Sequence, residues 1–391
     1  MITSLNECSG GGEQVGRQSR PATRLKVAFL IKALGAGPGG GAERILTLVS
    51  NELAERGHEV SVVSFDGAED RDFYTVSPAI RRLRLGLGRT TARSDVVTTV
   101  RRLIGSRRAF LELKPEVAIG FMHSAFVPLS LALRGTGIPV IGSERTAFTH
   151  YRSRPLQRLL LRASVRLLKH MTVNGAEIRD EFPAAISERM TVIPNPVLPA
   201  RRLAEPGGGE IRTLLCVGGL RPEKDHQTLL ISFARVANRF PDWRLRIIGD
   251  GPLRKSLERK IEELGLGDRV QLVNARSSIE AEYSDAQLFV LPSTYEAFPN
   301  CLAEALAHGL PAVGFADCPG TNALIVPGVN GALAAGPDKV QALSTTLEGL
   351  MASPALRESL GQRAPTTVER YSLSATVDRW ERLLRYAVRN S

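Results

Sequence analysis

The stretch Leu288–Gly309, LFVLPSTYEAFPNCLAEALAHG, admits few folds. Its apolar run Leu288–Leu291 has the length and composition of a strand buried on both faces, which is how parallel strands read. A short loop carrying Ser293, Tyr295 and Glu296 follows. Pro299 and Asn300 then open a helix that closes at Gly309, with His308 in its last turn. The free backbone N–H groups of Asn300, Cys301 and Leu302 are expected at that helix start, where an anion binds readily. Glu296 lies in the loop, and Glu304 lies one turn into the helix on the face of Asn300 and Cys301.

The same grammar recurs upstream. Lys26–Ile31 is a strand, LGAGPGGGAER follows, a helix runs through Arg56 to Gly57, and Val60–Phe65 is the next strand. This is a parallel-sheet unit. Its loop contains G-x-G-x-x-G at Gly35, Gly37 and Gly40, with Asp66 as an acidic partner, so a dinucleotide site is one reading. In the other, Gly39, Gly40 and Gly41 let a bound group approach the backbone at a helix start; a bare glycine hinge is the third. Val117–Phe121 ends at Met122-His123-Ser124, and ligands sit beyond the carboxyl ends of such strands, which puts His123 near a crevice. Pro139–Gly142 runs into Ser143-Glu144-Arg145-Thr146, polar residues suited to a phosphate or hydroxyl, or to a helix cap at Ser143.

Net charge of +11 over 391 residues points to anionic partners: phosphate, a membrane surface or nucleic acid. With aromatics at 5%, a nucleic-acid surface is not expected. Cys8, Cys216, Cys301 and Cys318 form no CxxC pair, which suits a reducing cytoplasm. No apolar leader or spanning run is visible, so any membrane role would be peripheral. Asp70 and Asp72 form a DRD triplet with no strand before it, read as a surface loop; no metal is expected. Two Arg-rich, leucine-spaced segments, Ile80–Leu113 and Arg152–Lys169, have the pattern of helices at a membrane surface. Taken singly, each is also the pattern of a helix packing its leucines inward; in the second these are 156, 159, 160 and 167.

Glu296 and Glu304, with seven residues between them on a strand–loop–helix, resemble the E-x7-E motif of retaining GT-B glycosyltransferases of family 4. The resemblance runs from about Lys26 onward. VGGLRPEK looks like the family's "VGRL...K", with Lys224 at the Lys position, Gly219 where the family has Arg, and Arg221 as the nearest substitute. Gly249-Asp250-Gly251-Pro252 looks like its "GDGP" turn, SERT like a segment of enzymes that build lipid-linked or surface glycans, and IPNPV and GVNGAL like two more of its elements. Ala323 stands where the family commonly has Glu. The resemblance implies an α/β GT-B fold: two Rossmann-like, doubly wound parallel-sheet domains facing a cleft. The expected division is a flexible tail at 1–24, an acceptor-side domain at 25–198, a linker at 199–210, a nucleotide-sugar-binding domain at 211–369, and a helix at 370–391 crossing back to the first domain.

The resemblance also implies roles. Glu304 would hold the ribose, Glu296 the sugar hydroxyls, and Lys224 with the amides of Asn300, Cys301 and Leu302 the diphosphate. Gly40, Gly41, Arg221, Gly249, Asp250 and Gly251 would line the nucleotide site, with the base near Asn274 and Arg276. His123 would lie near the transferred sugar, and Glu144 and Arg145 on the acceptor side. No cofactor is expected beyond the donor, a nucleotide-diphosphate sugar, with a glycan or polyprenyl-diphosphate-linked acceptor and an anionic membrane surface as partners. Front-side attack and double displacement both remain open. An NAD-dependent oxidoreductase using the Gly35–Gly41 loop and a non-catalytic nucleotide-sugar binder are the rival readings.

Overall fold

Apolar runs separated by glycine-rich loops fold here as parallel strands covered by helices. The computed structural model describes residues 24–35, 40–87, 95–146, 148–151, 154–276 and 278–390. The expected tail and residues 36–39, which include Gly37 and Gly39, lie outside them apart from Arg24. A first sheet contains β1 (Lys26–Ile31), β2 (Glu59–Ser64), β3 (Arg81–Arg84), β4 (Val117–Phe121), β5 (Val140–Ser143), β6 (His170–Val173) and β7 (Met190–Val192) in the order β3-β2-β1-β4-β5-β6-β7. A second contains β8 (Arg212–Val217), β9 (Trp243–Ile248), β10 (Val270–Val273), β11 (Leu288–Leu291), β12 (Ala312–Phe315) and β13 (Gly331–Ala334) in the order β10-β9-β8-β11-β12-β13. All their pairings are parallel. The two sheets are the two Rossmann-like domains of a GT-B fold.

Helices of the first lobe are α1 (Gly41–Glu55), α2 (Val96–Leu113), α3 (His123–Ala132), α4 (Pro155–Val165), α5 (Ala176–Asp180) and α6 (Ala184–Ser187). Those of the second are α7 (His226–Ala237), α8 (Arg254–Glu263), α9 (Glu280–Asp285), α10 (Asn300–Ala307), α11 (Pro319–Asn322), α12 (Lys339–Ala352) and α13 (Pro354–Val368). The final helix α14 (Leu373–Arg389) leaves the second lobe and packs on the first. Its Val377, Trp380, Leu384 and Ala387 are buried in one cluster with Val27, Phe29, Ile119 and Phe121. Trp380 stacks on Phe121 with centroids 6.3 Å apart. The two chain crossings lie side by side, because the Val197 N–H donates to the Tyr371 carbonyl at 2.8 Å.

The Arg-rich segments need correction. RRLR is the strand β3, not part of a surface helix, and Arg82 and Arg84 are ion-paired with Asp72. That spends the DRD triplet on structure. In α4 the buried residues are Leu161, Ser164 and Val165, while Leu156, Leu159 and Leu160 are 67%, 63% and 41% exposed. The leucine stripe therefore does not pack inward. Periodicity named an apolar face but not whether anything covers it.

Candidate functional site

In each sheet the strand order reverses at one place, between β1 and β4 in the first and between β8 and β11 in the second. Crevices open beyond the carboxyl ends of strands at such points. The ends of β1 and β8 and the β11–α10 loop meet in a cleft holding two adjoining cavities, of about 490 Å³ on the second-lobe side and about 500 Å³ on the first-lobe side. Gly40, Gly41, Arg221, Glu296, Phe298 and Asn300 line both.

On the second-lobe side, Glu296 is held from two directions. Its Oε1 accepts hydrogen bonds from Lys224 Nζ and, at 2.7 Å, from the Ser293 hydroxyl. Burial works against the Lys224 ammonium, but the Glu296 carboxylate more than offsets it, so the Lys224 pKa rises above the ordinary lysine value. Glu304 accepts from Arg44 of α1, across the cleft, and from the Tyr283 hydroxyl at 3.0 Å. Burial and the Glu304 charge hold the Tyr283 phenol protonated, so it remains a donor. Burial pushes the Cys301 thiol up to about 12, which keeps it neutral at the helix start. The amides of Asn300 and Cys301 donate to no acceptor among the described residues, whereas Leu302 N–H donates to the Pro299 carbonyl at 3.1 Å. The expected anion seat thus has two open backbone donors, and Leu302 is not one of them.

The Gly249-Asp250-Gly251 turn passes close beneath. A Cβ on Gly249 would come within 1.9 Å of the Gly218 carbonyl oxygen, so only glycine fits there. Asp250 is a brace: its Oδ2 accepts from the Ala275 N–H at 2.9 Å and its Oδ1 from Arg254 at 3.1 Å. Asn274 is exposed and lines neither cavity, while Ala275, Arg276 and Ile279 do line the second-lobe one. Arg221 reaches the cleft mouth beside Gly219, and a Cβ on Gly219 would stand 3.7 Å from its Nε.

On the first-lobe side, α1 begins at Gly41, whose missing side chain leaves the Asn300 Nδ2 a close neighbour across the cleft. Arg145 donates to Asn195 Oδ1 at 2.6 Å and to the Ser143 hydroxyl at 3.1 Å, and its guanidinium lies 4.9 Å from the Phe121 ring centroid. Burial lowers its pKa to about 10. Asn195 donates in turn to Asn300 Oδ1 at 2.8 Å, which ties this arginine to the start of α10. Arg145 Nη2 and Asn174 Oδ1 are buried without a partner among the described residues, and both residues line this cavity.

Two residues expected at the cleft, Glu144 on the acceptor side and His123 near the transferred sugar, are placed elsewhere. Glu144 is fully buried and accepts from the Tyr151 hydroxyl and from the N–H groups of Arg145 and Thr146, both at 2.9 Å. It shapes the turn that presents Arg145. His123 begins α3 and turns away from the cleft into a groove between α2, α3 and α4, with its ring edge-on to Tyr151. Burial, then Arg154 and Lys32, depress its pKa, so the imidazole is neutral. Asp66, the acidic partner the dinucleotide reading needs, is buried, accepting from the Leu34 N–H at 2.8 Å and pairing with Arg82. Sequence reasoning missed Arg44, Tyr283, Asn195 and Asn174. Arg44 carried a signal, standing one turn into the helix after the glycine loop, and so did Asn195, inside the IPNPV element.

Residues 39–201 match the family model described as "Glycosyltransferase Family 4", and residues 206–367 the one described as "Glycosyl transferases group 1". An uncharacterized glycosyltransferase of Haemophilus influenzae is 26% identical over 362 residues, covering 92% of this chain and 99% of its own. A Campylobacter jejuni protein named GalNAc-alpha-(1->4)-GalNAc-alpha-(1->3)-diNAcBac-PP-undecaprenol alpha-1,4-N-acetyl-D-galactosaminyltransferase is 25% identical, over 92% of this chain and 98% of that one. The crystal structure of Anabaena Alr3699/HepE in complex with UDP and glucose has the same fold, with a TM-score of 0.72 at 17% identity over 93% of this chain and 100% of that one.

Proposed function

Since the chain belongs to the GT-B glycosyltransferases of family 4 and group 1, we propose that it transfers a sugar, with retention and without a metal ion, from a UDP-sugar to a hydroxyl of a glycan or lipid-linked acceptor. The observation that carries this reading is the position of Glu296. It stands where the two cavities meet, ion-paired to Lys224 on one side and open to the first-lobe cavity on the other. UDP as the nucleotide is supported by the Anabaena complex, and a lipid-linked acceptor by the name of the Campylobacter relative.

The donor's diphosphate lies against Lys224 and the open amides of Asn300 and Cys301, its ribose against Glu304, and the sugar's hydroxyls against Glu296. As the bond from the anomeric carbon to the diphosphate breaks, negative charge grows on the leaving oxygen. Lys224 and the start of α10 meet that charge with donors already in place, which is where such stabilisation counts most. The acceptor hydroxyl attacks from the same face, and its proton passes to the departing phosphate. Closing the cleft excludes water and limits hydrolysis of the donor.

The test is a screen of UDP- and GDP-sugars for release of free nucleotide, repeated with EDTA and with Glu296→Gln. The reading expects turnover of a UDP-sugar that survives EDTA and is lost in the variant. No turnover with any nucleotide sugar, or full turnover in Glu296→Gln, sinks it.

A further inference from the structure

The groove that receives His123 has no part in the chemistry just described. It encloses about 290 Å³ between α2, α3 and α4, and Leu103, Val127, Leu131 and Leu160 give it apolar walls. Its inner end is different. Lys32 and Ser124 stand there and also line the first-lobe cavity of the cleft, so groove and cleft are continuous. Lys32 has no carboxylate partner among the described residues, and burial, reinforced by Arg102, lowers its pKa. A partly buried cation that no described carboxylate neutralises, at the foot of an apolar channel, is complementary to an amphiphile with an anionic head. The outer end continues onto exposed apolar side chains: Leu131 and Leu160 at the rim, Val100 and Ile104 on α2, and Leu156 and Leu159 on α4. Arginines 101, 108, 158 and 162 flank them on the same two helices.

We propose that this groove holds the first part of the hydrocarbon chain of a lipid-diphosphate-linked acceptor, with the phosphate on Lys32 and the glycan leading into the cleft toward Glu296. The proposal rests on the glycosyl-transfer reading and adds which end of the acceptor enters where. The longer remainder of the chain leaves over α2 and α4 toward a bilayer, which is why those apolar side chains are uncovered and ringed with arginine.

The test uses the full chain and three probes: farnesyl diphosphate, inorganic diphosphate and farnesol, with binding measured by equilibrium dialysis. Farnesyl diphosphate is expected to bind about tenfold tighter than either fragment, since each supplies only half of the contact. Leu160→Glu, on the exposed rim, is expected to erase the advantage over inorganic diphosphate while UDP binding stays as in the parent. Lys32→Gln is expected to weaken farnesyl diphosphate and leave farnesol unchanged. Equal binding of farnesyl and inorganic diphosphate overturns the proposal. So does farnesyl diphosphate that UDP displaces and Leu160→Glu does not touch, because the probe is then in the nucleotide site. Failure of UDP itself to bind, with the groove behaviour intact, strikes instead at the glycosyl-transfer reading.

Discussion

The two sides of the cleft solve the same problem in opposite ways. On the second-lobe side two ion pairs are made within the protein: Lys224 with Glu296, and Arg44 with Glu304 beside Tyr283. On the first-lobe side Lys32, Arg145 Nη2 and Asn174 Oδ1 face their space without full partners among the described residues. A preorganised, charge-compensated seat costs little to hold empty and suits a ligand that is always the same, such as a nucleotide diphosphate. Unsatisfied buried polar groups cost stability until something binds, which suits a side that selects its ligand. Paired groups on one side and open polar groups on the other suit fixed recognition beside variable recognition.

The comparison is broken most easily at Glu296. Glu296→Gln keeps the shape but removes the charge that holds Lys224, and kcat is expected to fall about 10²–10³-fold with UDP affinity nearly unchanged. Steady-state kinetics beside UDP titration checks this; an equal loss in both would mean that Glu296 serves binding alone. Lys224→Met is next, with an expected loss of about 100-fold in kcat and about 5 °C in Tm, because Glu296 is left partly buried without its cation. The same pair predicts a pH signature. With Lys224 raised in the folded state, its contribution to stability is complete below the ordinary lysine value of 10.5 and is lost as the pH climbs through the elevated one. Thermal melts from pH 9 to 11.5 should show that loss in the parent and not in Lys224→Met.

Arg145→Lys sharpens the other side. Lysine cannot reproduce the fork that meets Asn195 and Ser143 together, so the acceptor KM is expected to rise about tenfold while the donor KM stays put. A matched rise in both would merge the two sides into one site. The smallest effect is expected at His123. His123→Asn should change kcat less than about threefold, and kcat/KM should show no step near pH 6.5, because the imidazole lies outside the cleft and stays neutral. A tenfold loss with a step at that pH would return His123 to the chemistry.

What could be read from the residues follows the same division. β11, its loop and α10 were legible because a buried strand, a proline and a glycine are punctuation that tertiary packing seldom overrides. The Gly249–Gly251 turn was legible because the backbone itself fills the space a side chain would need. Glu144 and His123 were misjudged because a position just after a strand says nothing about which way the side chain turns, and one went into the core and the other into the groove. Arg44 meeting Glu304 was out of reach, since nothing local couples positions 260 residues apart. The α4 leucines misled for a related reason: an apolar stripe marks what avoids water, and only neighbouring elements decide whether it succeeds.

Trp380 and its neighbours on α14 close one wall of the first lobe's core, although they come from the far end of the chain. A ribosome therefore delivers β1–β7 long before the residues that seal them, and the face around Val27, Phe29 and Phe121 must wait, wet or in a chaperone's keeping, while the second lobe is made. Nascent chains stalled before Leu373 should be cut by protease within β1–β5, and chains carried past Arg389 should resist. The order of synthesis and the order of completion run in opposite directions here, so a stop codon late in the message would harm the half that was translated first.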